Sequence, residues 1–231
     1  MASVEEIKRV AAEIVAVEPR IDVLINNAGA HFESYSETQD GLESTIAVNH
    51  LAYFVLTLSL RPSLRRGSRV VNTASHLHRH TSFEKDNMDL RAGRHHGFWH
   101  GFDNYNRSKL YNVLFSRRLS QLWATSEGIT VNCCHPGLIR SGFGSGQLGL
   151  FEPIFWLILQ VLGRSVEAGG SVLTWLATSP QLDGVTGEYY NRFNLEAPSR
   201  DATSQANAAL LWVKSLEWAK MHPNNVDRKI L

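Results

Sequence analysis

The sequence has few cysteines and almost no excess of charge. Cys133 and Cys134, adjacent in the chain, are the only two cysteines among 231 residues, which excludes a disulfide scaffold and a four-cysteine zinc site. This cysteine usage is compatible with a reducing compartment, and we expect a cytoplasmic location. The formal net charge is +1, so the composition gives no reason to expect a nucleic-acid partner.

Long hydrophobic runs and internal repeats are also missing. The most apolar stretch, Leu148–Leu162, is shorter than the ~20 residues of a membrane-spanning helix and carries Glu152. The N-terminal stretch is amphipathic and lacks the pattern of a signal peptide. Because 43% of the residues are hydrophobic, the chain can bury a core, and one domain over residues 1–231 is the simplest organisation.

Short apolar segments alternate along the chain with longer amphipathic ones. The predicted strands are Ile21–Asn26, Ser68–Thr73, Ile129–Cys134 and Gly187–Tyr190. The predicted helices are Val4–Val17, Gly41–Leu60, Asn104–Ala124, Leu148–Leu162, Val166–Ala177 and Ala202–Lys220. This alternation predicts an α/β fold with a parallel sheet covered by helices on both faces. The segment His76–Asp103 has no clear period and is predicted to be a long, partly ordered loop.

Polar residues and glycines follow three of the predicted strands, in the segments Asn26–Gly29, Ala74–Ser75 and His135–Gly137. Parallel sheets bind ligands at the carboxyl ends of their strands. We therefore expect these segments to meet at one edge of the sheet and to form a binding site there.

Tyr105 and Lys109 are four residues apart in a predicted helix, so their side chains share one face. A lysine ammonium favours the phenolate, and we expect it to lower the pKa of this tyrosine from about 10. Such a pair can exchange a proton with an alcohol or a carbonyl oxygen. A bare pair at this spacing is more often an ordinary surface Tyr and Lys, so the hypothesis depends on the motifs around it.

Five motifs occur in chain order around this pair. They are Asn26-Asn27-Ala28-Gly29, Val48-Asn49-His50, Ser75, Tyr105-x-x-x-Lys109 and His135-Pro136-Gly137. In this order they resemble the short-chain dehydrogenase/reductases, in particular the branch of retinol dehydrogenases and WW-domain-containing oxidoreductases. The resemblance implies a single domain with a doubly wound, Rossmann-like parallel sheet.

The resemblance also implies a role for each motif. It makes Tyr105 the acid/base, Lys109 the ligand of the nicotinamide ribose, and Ser75 the hydrogen-bond partner of the substrate oxygen. It gives Asn49 the task of holding the helix geometry and a water in a proton relay. The residues implied to contact the cofactor are Asn27, Ala28, Gly29, Tyr105, Lys109, Pro136, Gly137, Ile139 and Ser141.

The function that the resemblance implies is NAD(P)-dependent interconversion of an alcohol and a carbonyl. The cofactor would be NADP or NAD, with NADP slightly favoured, and it would supply the hydride chemistry. The substrate would be a small lipophilic molecule such as a retinoid or a steroid. The apolar stretch Leu148–Leu162 fits one wall of such a pocket, while a membrane-surface helix, a core helix and a helix of a homo-oligomer remain alternatives.

One part of the family pattern is missing before Ile21. The family begins with a strand, a glycine-rich turn and a helix that receive the pyrophosphate. The resemblance therefore predicts an N-terminally truncated domain that lacks its first βαβαβ portion, on the order of 70–80 residues. The strand Ile21–Asn26 would then lie at an exposed sheet edge. The alternative function is that of a catalytically inactive, truncated product that acts as a binding or regulatory protein.

Three weaker patterns are interpreted without a chemical role. Gly144–Gly149 spells G-x-G-x-x-G but does not follow a strand inside a βαβ unit, so we predict a flexible loop. The alternating histidines of residues 76–80 lack a cysteine or a clearly placed carboxylate to complete a zinc site, and we predict no metal. The two cysteines of the predicted third strand point to opposite faces of the sheet and are predicted to be packing residues.

Overall fold

The computed structural model describes residues 3–91, 98–140 and 152–222. Within these ranges, a five-stranded sheet has the strand order β1-β2-β3-β4-β5. The strands are β1 Ile21–Asn26, β2 Leu64–Thr73, β3 Thr130–His135, β4 Tyr189–Asn191 and β5 Asn194–Leu195. The first four strands pair in parallel, and β5 pairs antiparallel with β4. The parallel sheet predicted from the sequence is therefore confirmed, and β5 is an addition to it.

Helices connect the strands. They are α1 Val4–Val17, α2 Ser44–Ile46, α3 Ala52–Ser59, α4 Phe98–Glu127, α5 Glu152–Leu162, α6 Val166–Thr178, α7 Arg200–Thr203 and α8 Gln205–Trp218. Helix α1 has the predicted bounds because its signals are local. The Ser3 side chain accepts a hydrogen bond from the Glu6 backbone N–H, and two glutamates lie in the first turn. No helix within the described ranges is long and apolar enough to cross a membrane.

The sheet is covered on both faces. Helix α4 packs against β2 and β3, and α8 packs against α4, while α6 packs against β1, β2 and β3. The adjacent cysteines show that these are opposite faces. Cys133 belongs to the core that contains α4 and α8, whereas Cys134 belongs to the core that contains α6. Both thiols are free and fully buried, which confirms their prediction as packing residues.

Strand β1 lies at one end of the strand order, next to β2. Ile25, in its second half, is 41% exposed although it belongs to an apolar strand. The edge position predicted for this strand is therefore confirmed within the described ranges. Its register with β2 shifts between Ile21 and Val23, where β2 contains Gly67 with a positive φ of 90°. This irregularity extends β2 back to Leu64, four residues before its predicted start.

The helix predicted over Gly41–Leu60 is shorter and irregular in the structure. It begins at Ser44, where the Glu43 carboxylate accepts a hydrogen bond from the Ile46 backbone N–H. Between α2 and α3 the backbone forms a π-helical segment, Ala47–Leu51, which contains Asn49. Single π turns of this kind are frequently found at functional sites.

The segment predicted as a long loop, His76–Asp103, is more ordered than its composition indicates. It contains 3₁₀ turns at His76–His80 and Lys85–Asn87, and α4 already begins at Phe98. Gly101 explains the early start, because a Cβ at this position would lie 2.2 Å from the Phe32 backbone oxygen. The first turn of α4 thus depends on a close tertiary contact that only glycine permits.

Candidate active site

The carboxyl ends of the first three strands meet at one edge of the sheet, as predicted. The Thr73 hydroxyl at the end of β2 donates to Asn27 Oδ1, which follows β1, over 2.9 Å. On the other side of β2, the Ala74 backbone N–H donates to the Cys134 carbonyl of β3 over 2.8 Å. Ser75 follows directly and lies at the centre of this edge.

Ser75 and Tyr105 are joined through their side chains. The two hydroxyls share a hydrogen bond, which acts to lower the pKa of the tyrosine. Ser75 is 4% exposed, and its Oγ also accepts a hydrogen bond of 3.2 Å from the Leu77 backbone N–H at the start of a 3₁₀ turn. Tyr105 is partly exposed and therefore accessible from the solvent side of the site.

Lys109 lies on the same face of α4 as Tyr105, one turn further along the helix. Its Nζ is 5.5 Å from the centre of the Tyr105 ring and donates a hydrogen bond of 3.1 Å to the Thr73 carbonyl. The side chain is 3% exposed, and burial lowers its pKa to about 8. Lys109 is thus a buried cation beside a phenol, at the end of β2.

The pKa of Tyr105 moves in the opposite direction to the one expected from its spacing to Lys109. Burial raises this pKa above 10, because the phenolate loses hydration, and the Ser75 hydrogen bond offsets only part of the effect. The ammonium lies over the ring and bonds to a backbone carbonyl. The expectation that Lys109 makes Tyr105 acidic is therefore wrong for this structure, and Tyr105 carries its proton at neutral pH.

Asn49 connects the loop after β1 to helix α4. Its Oδ1 accepts a hydrogen bond from the Ala30 backbone N–H, and its Nδ2 donates to the Ala30 carbonyl, each over 2.8 Å. The same Nδ2 donates to Ser108 Oγ over 3.0 Å, and Ser108 Oγ donates to the Tyr105 carbonyl over 2.7 Å. Fully buried Asn49 therefore fixes the loop relative to the turn of α4 that carries Tyr105 and Lys109.

The loop residues Asn27, Ala28 and Gly29 are exposed, as a ligand-contacting segment requires. The Ala28 carbonyl accepts a hydrogen bond of 2.9 Å from the Tyr53 hydroxyl, which holds this loop against α3. A Cβ on Gly29 would lie 3.2 Å from Asn49 Oδ1 and 3.3 Å from Lys109 Nζ. Glycine therefore leaves the space above the ammonium open.

The last predicted motif follows β3. Gly137 has a φ of 107°, which a residue with a side chain rarely adopts, and it turns the chain after Pro136. Ile139 forms an isolated bridge with Arg164, and its side chain packs on Gly169 of α6. This turn is adjacent to Ser75 through the β2–β3 pairing. Ser141 and the Gly144–Gly149 segment lie outside the described residues.

Two residues at the site have no role in the sequence analysis. Ser108 links Asn49 to α4. The sequence could have indicated this role, because a serine three residues after Tyr105 in a helix can donate its hydroxyl to the Tyr105 carbonyl of the preceding turn. His78 is fully buried and bonded at both ring nitrogens, although the sequence pattern gives the histidines of residues 76–80 no role. In the described parts of the chain, no three His, Cys, Asp or Glu side chains are grouped as a metal site.

Comparisons with known proteins agree with this geometry. A family model described as Enoyl-(Acyl carrier protein) reductase matches residues 1–191. Human retinol dehydrogenase 13 is 35% identical over 93% of this chain, and the WW domain-containing oxidoreductase of Drosophila melanogaster is 32% identical over 92%. The chain spans 65% and 52% of the length of these two relatives.

Solved structures show the same relationship. A blue fluorescent protein from a metagenomic library, crystallised in complex with NADPH, superposes with a TM-score of 0.59 and 26% sequence identity. The match covers 82% of this chain and 70% of that protein. The family model, the relatives and the five ordered motifs lead to one conclusion: the chain belongs to the short-chain dehydrogenase/reductase family.

Proposed function

We propose that this chain is an NAD(P)-dependent oxidoreductase that interconverts an alcohol and a carbonyl. The observation that carries the proposal is the hydrogen bond between the Ser75 and Tyr105 hydroxyls beside the buried ammonium of Lys109. Two hydroxyl donors at the carboxyl edge of a parallel sheet can bind one substrate oxygen together. The names of the relatives, a retinol dehydrogenase and an oxidoreductase, support the same class of reaction.

Each residue acts on the substrate oxygen or on the group beside it. Because Tyr105 is protonated at neutral pH, it is the acid that delivers a proton to a carbonyl oxygen during reduction. Ser75 donates a hydrogen bond to the same oxygen and stabilises the negative charge that develops on it. Asn49 acts as a positioning residue through Ser108. A bound nicotinamide supplies the hydride in this direction and accepts it in the other.

The residues present fit the nicotinamide end of the cofactor. Lys109 Nζ has three protons. Within the described residues it donates one hydrogen bond, to the Thr73 carbonyl. Its remaining donors suit the hydroxyl oxygens of a ribose, and the missing side chain at Gly29 keeps that approach open. The NADPH in the similar solved structure supports NADP as the cofactor of this chain.

The substrate that we propose is lipophilic. Among the side chains of helix α5 that the structure describes, five large apolar ones are each at least 42% exposed: Ile154, Leu157, Ile158, Val161 and Leu162. Leu159, on the other face of the helix, is buried. The interpretation of Leu148–Leu162 as a core helix is therefore wrong for its described part, Glu152–Leu162. An exposed apolar helix after the β3 turn supports a wall that contacts an apolar substrate.

Cofactor binding separates this function from the alternative. We expect NADPH fluorescence to change saturably when the purified chain is titrated, with a Kd of about 1–100 μM. NADH titrated in parallel measures the preference between the two cofactors. If neither shows saturation up to about 1 mM, the oxidoreductase proposal fails, and the result favours a binding or regulatory protein without catalysis.

A further inference from the structure

His78 occupies an unusual position three residues after Ser75, on the 3₁₀ turn that Ser75 caps. The imidazole is fully buried. Its Nδ1 is 2.6 Å from the Ser75 carbonyl oxygen, and its Nε2 accepts a hydrogen bond of 3.1 Å from the Ser199 backbone N–H. Because a carbonyl can only accept and a backbone N–H can only donate, the proton of the neutral ring is on Nδ1.

We propose that His78 is a positioning residue for Ser75. Its Nδ1–H donates to the Ser75 carbonyl, and this hydrogen bond fixes the orientation in which the Ser75 hydroxyl meets Tyr105. The Ser199 N–H on Nε2 keeps the proton on Nδ1 and completes a bridge through the ring. The inference rests on the proposed function, because it assumes that the Ser75–Tyr105 pair binds the substrate oxygen.

The Ser75 hydroxyl has two hydrogen-bond partners at once, so its orientation must be held by another residue. This Oγ accepts from the Leu77 backbone N–H and also bonds to Tyr105. Both interactions hold only while the Ser75 backbone keeps its extended conformation, with φ −154° and ψ 152°. A hydrogen bond to the Ser75 carbonyl restrains rotation about ψ, and thereby restrains where the hydroxyl lies.

The other end of the bridge is itself well anchored. The His78 ring packs edge-on against Tyr189 of β4, with 4.9 Å between ring centres. The neighbouring Arg79 forms an ion pair of 2.6 Å with Glu196 and also donates to the Ala197 carbonyl. Residues 196–199 therefore hold the turn after β2 through the adjacent side chains of His78 and Arg79. The geometry of Ser75 depends on a segment about 120 residues away in the chain.

Asparagine and glutamine at position 78 separate positioning from simple packing. In His78→Asn, the side-chain N–H₂ can replace Nδ1–H toward the Ser75 carbonyl. In His78→Gln, the longer amide can replace Nε2 as the acceptor for Ser199. The Ser75 carbonyl then keeps only the 3.2 Å hydrogen bond from the backbone N–H of residue 78. His78→Phe keeps the ring but removes both hydrogen bonds, and His80→Phe is the matched control because His80 is exposed on the same turn.

We expect His78→Phe and His78→Gln to lower kcat by about 10–100-fold while KM and the Kd of NADPH stay unchanged, because a misplaced Ser75 affects the transition state. His78→Asn is expected to restore kcat to within about 3-fold of the original chain, and His80→Phe to leave it unchanged. Equal activity of the Asn and Gln variants, at whatever stability, would overturn the proposal, as would a loss that appears only in KM.

A spectroscopic measurement tests the same bridge without turnover. With ¹³C at Cζ of tyrosine and Tyr105→Phe for assignment, the Tyr105 signal should shift equally in Ser75→Ala and His78→Phe, and stay in place in His78→Asn. An unchanged signal in His78→Phe contradicts the positioning role. If the chain binds no nicotinamide, the proposed function fails, and this measurement still decides whether His78 orients Ser75.

Discussion

The ammonium of Lys109 lies 5.5 Å from the centre of the Tyr105 ring and bonds to the Thr73 carbonyl at the end of β2. The pair therefore combines a protonated phenol with a buried cation that has donors left for a ligand. Burial of this cation should be measurable in the free energy of unfolding, because a charged lysine that is only 3% exposed destabilises the folded chain.

Lys109→Met should stabilise the protein while it removes function. The pKa of Lys109 is about 8 in the folded chain and about 10.5 when unfolded, which corresponds to about 3 kcal/mol of unfavourable burial at neutral pH. Since Asn112 Nδ2 also donates to the Thr73 carbonyl, that acceptor stays bonded in the variant. We expect urea unfolding at pH 7 to show a gain of about 1–3 kcal/mol, and NADPH binding to weaken at least tenfold.

The control for this change is Lys214→Met, since Lys214 forms an exposed pair with Glu217 on α8. We expect its effect on stability to remain within about 0.5 kcal/mol. The original chain should also gain stability as pH rises from 8 to 10.5, because only the unfolded state keeps the lysine proton in this window. Loss of stability in Lys109→Met would contradict the buried, charged lysine.

Gly29→Ala should block the cofactor while it leaves the fold almost intact. The added Cβ would lie 3.3 Å from Lys109 Nζ, over the approach that we assign to the ribose. We expect NADPH affinity to fall about 10-fold or more, with a change in stability below about 1 kcal/mol. Gly170→Ala is the matched control, because nothing lies within 4 Å of its added Cβ in α6, and alanine there should stabilise the helix by about 1 kcal/mol. Equal NADPH affinity in both variants would show that the ribose does not approach over Gly29.

Stability should fall steeply on mild acidification. Burial lowers the pKa of His50 to about 3, and those of His78 and His135 to about 4, whereas unfolded histidines titrate near 6.5. Below pH 6.5 these three histidines therefore bind up to three more protons in the unfolded chain than in the folded one, which lowers the free energy of unfolding as pH decreases.

Between pH 7 and pH 5 we expect a loss of about 3–6 kcal/mol in urea unfolding experiments. Glu43 opposes part of this loss, because burial raises its pKa. His78→Asn should take up one proton fewer on unfolding than the original chain. Equal free energies of unfolding at pH 7 and pH 5 would mean that these histidines are not buried in the neutral form.

The sequence predicts those parts of the fold whose signals are local. Strand β1 has its predicted bounds because a mostly apolar, β-branched segment of six residues ends just before Asn-Ala-Gly. Helix α1 has its predicted bounds because Ser3 caps an amphipathic segment. Helix α4 begins six residues early because Gly101 packs against the Phe32 backbone, a contact that no local pattern reveals. Strand β5 has two residues, which is too short for any periodicity.

The candidate site, like the fold, is predictable from the sequence where the signals are local and unpredictable where tertiary contacts decide. The strand pattern predicts Ser75 at the sheet edge, and helical spacing predicts that Tyr105 and Lys109 share one face of a helix. That this face meets Ser75 is what the family resemblance implies. The direction in which the pKa of Tyr105 shifts could not be predicted, because it depends on how much water the folded chain removes from around the hydroxyl. The bridge from His78 to Ser199 joins residues 121 positions apart, and only the folded chain shows it.

The most direct test of the account is NADPH oxidation at 340 nm with a lipophilic aldehyde or ketone, by the original chain and by Tyr105→Phe. Tyr111→Phe is the control on the same helix, because its hydroxyl bonds only to the Met88 carbonyl among the described residues. We predict that Tyr105→Phe lowers kcat by about 10²–10⁴-fold with an unchanged Kd for NADPH, and that Tyr111→Phe stays within about 3-fold. Turnover that survives the Tyr105→Phe change, or an original chain that does not oxidise NADPH, would contradict the account.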